Sequence, residues 1–418
     1  MSTISALAPN DVAENRPTMG VMSDRLRVAL LLSTSHFEDF YGDGLGLTRC
    51  AYLGTYRNDW SWDWCRMLAQ EGVEATIYVG TTLDGDRVVT EDGYRVRFLP
   101  LSPIASPWIR FRWFGRTPVG RYAAQVANAA AMLPSLRRAL AEDEVDVLCV
   151  QEYWTGRLDV LVRTMRTPIV AVDQGLPDRR EIKFLKRASL RRTAGVVVQT
   201  SREAAKVGRY GGDARRIPNA VDADFFQPGE ARGADSDPII LCVSRLHDAQ
   251  KRLSDVLKAV ARLGNGWQVH IAGSGPDRAM LERLSNELEI SSQVSYLGFV
   301  TDSTQLRELY RQASVVALPS AYEGLPMVLL EAMSCATPVI GSDIPAIAEV
   351  VEDGRTGLLT PVGDPRRLAE ALTEAVARRS ELGSAARESI LTDNDQAVVG
   401  PRLAEMLRSA RSRGLAPA

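Results

Sequence analysis

Histidine and cysteine are scarce in this chain, and the scarcity speaks against a structural metal site or a disulfide framework. Imidazole comes only from His36, His247 and His270. The five cysteines, Cys50, Cys65, Cys149, Cys242 and Cys335, are odd in number, scattered, and form no Cys-x-x-Cys pair. No His/Cys cluster has zinc-ligand spacing, so no metal and no cofactor is expected. Most of the cysteines lie in apolar runs, which suits small buried hydrophobes in a reducing, cytoplasmic setting. An excess of one charge is also lacking. Fifty Lys and Arg face 52 Asp and Glu, a net charge of −2, so bulk electrostatics favours neither nucleic acid nor an anionic membrane. No apolar run reaches the roughly 18 residues that span a bilayer. Residues 1–24 are polar and small, lack the hydrophobic centre of a signal peptide, and are expected to be a disordered tail.

What is present is alternation. Val28-Ala-Leu-Leu-Leu32 is an apolar run of the kind that forms a strand buried on both faces of a parallel sheet. Ala75–Val79, Val145–Val150, Ile169–Val172 and Gly195–Gln199 follow in kind, with helical patterns between them. Asp59 or Ser61 caps a predicted helix through Trp64, Met67 and Leu68 that stops at Gly72, and another runs from Arg121 to Leu140. Pro228–Pro238 holds no apolar residue larger than Ala and reads as a linker. A second series follows: Ile239–Val243, Val269–Gly273, Val294–Leu297, Val315–Leu318 and Val339-Ile340. A chain of 418 residues exceeds one ordinary core, and two such series imply two doubly wound α/β domains. The expected boundaries are 25–225, a linker at 226–238, 239–395, and a C-terminal helix within 396–418. Ligands in such sheets bind at the carboxyl ends of strands, which makes the interdomain cleft the default site.

The most informative stretch is Glu323-Gly-Leu-Pro-Met-Val-Leu-Leu-Glu331. It sets one carboxylate before a helix and another inside it. Pro326 suits a first helical turn, and the amides of Gly324 and Leu325 then stand at a positive helix end. Glu331 sits in an otherwise apolar run, where a carboxylate must find partners. Two such groups can grip two sets of hydroxyls, and a nucleotide sugar carries one set on its ribose and one on its sugar. Arg245 and Lys251 follow a strand end, where a planar fork and a compact charge suit phosphate oxygens. Gly273-Ser274-Gly275 is a lone glycine turn without the third glycine of a dinucleotide fingerprint. Gly42-Asp-Gly44 after the first strand either brings backbone close to a substrate or is a plain flexible loop. Asp222-Ala-Asp224 reads as turn chemistry rather than a metal motif.

Taken in order, these segments resemble the GT-B glycosyltransferases, the retaining family four in particular. Glu323 and Glu331 match that family's Glu-x7-Glu signature, Val243-Ser-Arg-Leu246 with Lys251 its Gly-Arg-Leu…Lys-Gly element, Ile217-Pro-Asn-Ala-Val-Asp222 its interdomain turn, and Ile271–Pro276 its glycine turn. The resemblance implies a GT-B fold, with the first domain binding acceptor and the second a nucleotide-diphosphate sugar, UDP-linked by preference. It implies that Arg245 and Lys251 hold the diphosphate, Glu331 the ribose and Glu323 the sugar, and that a final helix crosses back to the first domain. Five residues separate Arg245 from Lys251, one more than the family pattern, and Arg252 replaces its glycine. Near Asp173 the family carries a histidine facing the donor sugar; this chain has Gln174.

Trp60, Trp64, Met67 and Leu68 share a helical face and are expected in the core. Trp62 points elsewhere and either stacks on an acceptor or packs at the surface. Two basic stretches, Trp108–Arg116 and Arg179–Arg192, read as solvated faces in preference to membrane contacts. The expected activity is transfer of a hexosyl or N-acetylhexosaminyl group to a hydroxyl acceptor: a glycan, a lipid-linked group or a small metabolite. The alternatives are a GT-B epimerase or hydrolase of sugar nucleotides and a noncatalytic nucleotide-sugar-binding protein.

Overall fold

The computed structural model describes residues 25–413 other than 34–35, 55, 58, 103–116, 174–182 and 230–236. The expectations for the N-terminal tail, the Trp108–Arg116 stretch, Gln174, the start of the Arg179–Arg192 stretch and most of the linker lie outside the described residues.

The alternating series build two sheets. The first has eight strands: β1 (Arg27–Leu31), β2 (Glu74–Thr81), β3 (Asp86–Val89), β4 (Arg95–Pro100), β5 (Val147–Gln151), β6 (Ile169–Val172), β7 (Gly195–Val198) and β8 (Ala214–Arg216). Their order is β3-β4-β2-β1-β5-β6-β7-β8, parallel except for the β3–β4 hairpin. Strand β1 lies in the middle, with Val28 opposite Ala75 on one side and Val147 on the other. Its apolar run is explained by what covers it. Val28 and Leu30 enter one core with Trp64 and Met67, while Ala29 and Leu31 enter another with Leu136 and Leu161.

The second sheet has β9 (Ile239–Val243), β10 (Gln268–Ala272), β11 (Val294–Gly298), β12 (Val315–Leu318), β13 (Val339–Ser342) and β14 (Leu358–Thr360), in the order β11-β10-β9-β12-β13-β14, with every neighbour parallel. The same division recurs. Leu241 joins Val316 and Leu330 on one face, and Ile240 and Cys242 join Val256 and Leu257 on the other. This is the GT-B arrangement of two Rossmann-like domains. The strands with no all-apolar run escaped sequence reading: β3, β8 and β14 are edges, and β4 alternates Arg95, Val96, Arg97, Phe98.

Ile217 and Ala220 are buried in the first domain's core, and Val221, Ala223 and Phe226 in the second's. The chain therefore changes domain at Ala220–Val221. Phe226, which opens the expected linker, is part of a core.

The helix Gln396–Arg413 returns to the first domain. Val399, Leu403, Ala404, Leu407 and Ala410 recur at helical spacing and are buried with Met67 and Leu68 of the helix Trp60–Gln70. Leu403→Ala should cost about 2–5 kcal/mol, the range for deleting a fully buried leucine side chain, and urea unfolding measures it. A loss under about 1 kcal/mol would mean that this return contributes little to the first core.

Candidate functional site

Strand β9 lies between β10 and β12, so the connections β9–β10 and β11–β12 run to opposite sides of it and a crevice opens past Val243. Ser244 and Arg245 enter that crevice. The turn Gly273-Ser274-Gly275 packs directly on their backbone. Gly273 has φ 149°, and a Cβ there would stand 1.8 Å from the Ser244 carbonyl oxygen. A Cβ on Gly275 would stand 2.4 Å from that of Leu246. Both positions therefore require glycine, and the Leu246 amide donates to the Ser274 carbonyl at 2.9 Å.

Arg245 is aimed by a neighbour. Its guanidinium donates to Gln250 Oε1 at 3.2 Å, and Gln250 Nε2 donates to the Tyr322 carbonyl at 3.3 Å. Gln250 lies on the one-turn helix Asp248–Lys251, which ends at Arg252 in the left-handed region, φ 55°. That conformation explains the glycine in the family pattern. Here Arg252 adopts it while its guanidinium pairs with Asp255 at 2.8 Å. Lys251 Nζ lies 2.5 Å from Glu323 Oε1, and both side chains are largely buried.

Glu331 lies on the helix Met327–Ser334, which starts one residue after Pro326. Its Oε2 accepts from the Tyr310 hydroxyl at 2.6 Å. Burial pushes the Glu331 carboxyl up to about 7, against the opposing effect of that hydrogen bond. Asp63, on the Trp60–Gln70 helix of the other domain, is pushed up to about 8. Burial is the main cause; Arg66 opposes it, and the charges of Glu331, Asp59 and Asp222 add to it. Arg66 also pairs with Asp222 at 3.2 Å across the domain boundary.

The cleft has two recesses. The larger, about 720 Å³, is lined by Glu331, Arg245 and Gly273-Ser274-Gly275 from the second domain and by Gly44, Trp60 and Asp63 from the first. The smaller, about 280 Å³, is lined by Glu323, Gly324 and Asp173. The structure thus brings Arg245, Glu331, the glycine turn and Gly44 together, and sets Glu323, Gly324 and Asp173 beside them. Lys251 belongs with Glu323.

Three expected site residues are corrected. The Leu325 amide donates to Gln199 Oε1 at 3.2 Å inside the domain junction, so it is already committed and does not face a ligand. Gly42 lies within the short π-helix Glu38–Asp43 and lines neither recess. Trp62 is wholly buried, packed on Tyr52 and Tyr94 with the Arg57 guanidinium 4.3 Å from its ring. It is Trp60, expected in the core, that reaches the cleft, because it occupies the first turn where the helix leaves the core. Asp63, Gln250, Tyr310 and the cleft-lining His247 were missed as well. Only Asp63 had a nearby signal, a charge on the first turn of an amphipathic helix. The others act through residues distant in sequence or through a connecting turn. Among the described residues no group of three His, Cys, Asp or Glu side chains could hold a metal ion.

Residues 61–225 match the family profile "Glycosyltransferase Family 4", and residues 226–389 match "Glycosyl transferases group 1". The chain belongs to glycosyltransferase family four. Curated relatives include D-inositol 3-phosphate glycosyltransferase of Geodermatophilus obscurus, 33% identical over 46% of this chain and 47% of that protein. Alpha-maltose-1-phosphate synthase of Mycolicibacterium smegmatis is 32% identical over 46% of this chain and 56% of that one. The chain therefore spans about half the length of the curated relatives it matches. Among solved structures, sucrose-phosphate synthase from Thermosynechococcus elongatus superposes with a TM-score of 0.73 at 20% identity, covering 93% of this chain and all of that one. An Anabaena protein solved with UDP-glucose gives 0.65 at 16% identity, covering 92% and 100%. At these identities the likeness is one of fold.

The raised Glu331 value sets a pH dependence for this family-four chain. The neutral acid stabilises the fold; that contribution is complete below the ordinary value of 4.5 and is lost as pH rises through about 7. Glu331→Gln stays neutral throughout. Its stability relative to wild type should rise by on the order of 1–3 kcal/mol from pH 5 to pH 8, read by urea unfolding without ligand. A difference that does not change with pH would remove Glu331 as a group that titrates in this range.

Proposed function

We propose that the chain is a retaining glycosyltransferase that moves a sugar from a nucleoside diphosphate sugar, UDP-linked by preference, to a hydroxyl acceptor without a metal ion. The observation that carries this reading is the pairing of Arg245 and Glu331 on one cavity, with the Lys251–Glu323 pair at the neighbouring recess. The nucleoside occupies the larger recess, with its ribose hydroxyls donating to the Glu331 carboxylate. Arg245 and Lys251 face the diphosphate and stabilise the charge that develops on it as the sugar C1–O bond breaks, the term that dominates most such transfers. These two cations support a reaction that needs no metal ion in that role. Glu323 accepts from hydroxyls of the donor sugar.

The acceptor oxygen forms its bond to C1 on the face that the phosphate leaves. Its proton passes to the departing phosphate, so no separate base is required and configuration is retained. One relative's name supports sugar transfer: α-D-kanosaminyltransferase of Streptomyces kanamyceticus, 29% identical over 51% of this chain and 61% of that one. The UDP preference rests on the Anabaena neighbour's UDP-glucose complex.

UDP at about a hundred times its dissociation constant should stabilise the protein by about 2.7 kcal/mol in the presence of EDTA. If no uridine, guanosine, adenosine or thymidine diphosphate raises the melting temperature, the donor assignment fails. Arg245→Ala should lower turnover by roughly 10²–10³-fold. Glu331→Gln should weaken UDP and the UDP-sugar alike, while Glu323→Gln should spare UDP and impair sugar use. Calorimetric titration decides between these roles, and interchanged effects would reverse them. Product analysis with and without acceptor separates transfer from hydrolysis or epimerisation.

A further inference from the structure

The helix Ser303–Gln312 reaches the carboxylate of the donor cavity with one group, the Tyr310 hydroxyl. Its start is capped by Asp302, which accepts from the Thr304 amide at 2.8 Å. Leu306 and Tyr310, one turn apart, are the side chains it buries. The Tyr310 ring enters the second domain's core with Leu329, Leu330 and Met333 and stands edge-on to Phe226 at 6.1 Å. Two hydrogen bonds tie this helix to the segment that carries Glu331. The Tyr310 hydroxyl donates to Glu331 Oε2 at 2.6 Å. The Thr337 hydroxyl, just past the Glu331 helix, donates to the Tyr310 carbonyl at 2.8 Å. Tyr310 and Thr337 are both buried, so neither can swing out to solvent.

The phenol acts in one direction. Burial first, and then the charge of Glu331, push its ionisation well above the ordinary value, so it stays an O–H donor. A donor on Oε2 favours the ionised carboxyl and leaves Oε1 for a ligand in the cavity that Glu331 lines. Among the described residues nothing donates to Oε1. With Oε2 already taken by a donor, the proton of the neutral acid would sit on Oε1. A ribose hydroxyl would then meet an O–H in place of an acceptor. The other groups around Glu331 do not take over this task. Asp63 from the first domain and Asp222 from the interdomain turn are acids, and Arg66 pairs with both. Cys335, at the end of the same helix, is a buried thiol. Arg245, on the same cavity, donates to Gln250. The burial of Glu331 is therefore countered by Tyr310.

We propose that Tyr310 is a positioning residue for donor binding: its hydroxyl fixes Oε2 of Glu331 and thereby presents Oε1 to the ribose as a charged acceptor. This rests on the donor reading above, in which the ribose meets Glu331. Tyr310 itself lines neither recess and acts only through the carboxylate. Donor binding near neutral pH is then linked to loss of a proton from Glu331, and Tyr310 governs the pH at which that proton leaves.

The test is calorimetric titration of UDP against wild type, Tyr310→Phe, Glu331→Ala and the double variant at pH 7 and pH 9. Each tyrosine-to-phenylalanine effect is taken as a ratio of affinities at one pH, which cancels the titration of UDP itself. Tyr310→Phe should weaken UDP about tenfold at pH 7, the scale of one hydrogen bond to a charged group. At pH 9 that ratio should fall to about twofold to threefold, because the carboxyl is ionised there without help. In the Glu331→Ala background the same substitution should change the affinity less than about twofold. A ratio equal at both pH values is what a merely structural tyrosine gives, and it would overturn the proposal, as would an equal ratio in the Glu331→Ala background. Ligand-free protein supplies an independent reading by urea unfolding. The pH midpoint of the stability difference between Glu331 and Glu331→Gln forms should move upward when residue 310 is changed by Tyr310→Phe; an unmoved midpoint would also overturn the proposal. If wild type and Tyr310→Phe bind UDP equally well, the proposal falls and the donor reading stands. If wild type fails to bind UDP while the midpoint still moves, the donor reading fails and Tyr310 remains the group that positions Glu331.

Discussion

A closed ring of three hydrogen bonds at the domain junction holds the site together. Gln199 Nε2 donates to Asn219 Oδ1 at 2.6 Å, Asn219 Nδ2 donates to the Leu325 carbonyl at 2.9 Å, and the Leu325 amide donates back to Gln199 Oε1 at 3.2 Å. The ring joins the end of β7, the Ile-Pro-Asn turn and the segment between the two signature glutamates. All three residues are buried, so breaking one link would strand polar groups at about 1–3 kcal/mol each. Asn394 Nδ2 bonds the Asn219 carbonyl at 2.9 Å, and Val221 exchanges amide bonds with Asn394 and Gln396. The return of the C-terminal helix is thus fastened to the same point. Leu325 stands between Glu323 and Glu331, and its anchoring sets where both carboxylates meet the first domain.

Charge inside the cleft follows from this fixed spacing. Asp63 comes from the first domain, and Asp222 and Glu331 come from the second. Only Arg66 among the charges that shift Asp63 opposes its neutral form. In a partly dehydrated cleft such acids lose solvation without gaining full compensation, and their values rise. A ligand that brings hydroxyl donors restores the balance, because an ionised carboxylate accepts several hydrogen bonds. Burial thus carries two cleft carboxyls toward neutral pH, Glu331 to about 7 and Asp63 to about 8.

The legible parts of the sequence were those whose reason is local. Central strands are apolar because both faces are covered, so β1, β6, β9 and β12 stood out, whereas edges such as β8 and β14 carry no such pattern. Gly273, Arg245 and Glu331 lie beside strand ends or inside short helices whose form dictates residue type. What stayed hidden depends on contacts between distant segments. Tyr310 reaches Glu331 from another helix. Nothing around Leu325 shows that Gln199 takes its amide. The exchange of Trp60 and Trp62 has a similar origin. Helical periodicity places Trp60 with Trp64, and their rings do meet edge-on at 5.1 Å, but the first turn projects into the cleft while Trp62 turns toward Tyr52 and Tyr94.

The division of the cleft follows from one ion pair. Lys251 ends a one-turn helix whose start is fixed by Asp248, its amide bonded to Asp277 and its carboxylate to Ser254. At 2.5 Å from Glu323, Lys251 brings a cation to the edge of the smaller recess, with the burial of one charge compensated by the other. Arg245 carries the second cation on the larger recess, held in place by Gln250. A diphosphate lying between them would meet one cation fixed through a carboxylate and one fixed through an amide. The carboxylate that holds Lys251 is also the one read here as meeting the donor sugar. A change at Glu323 therefore acts on two groups at once, the sugar it accepts from and the cation it positions. Among the described residues Glu331 makes no ion pair, and its carboxyl accepts from the Tyr310 hydroxyl. The two signature glutamates have different partners, Lys251 for Glu323 and Tyr310 for Glu331, although their sequence spacing treats them alike.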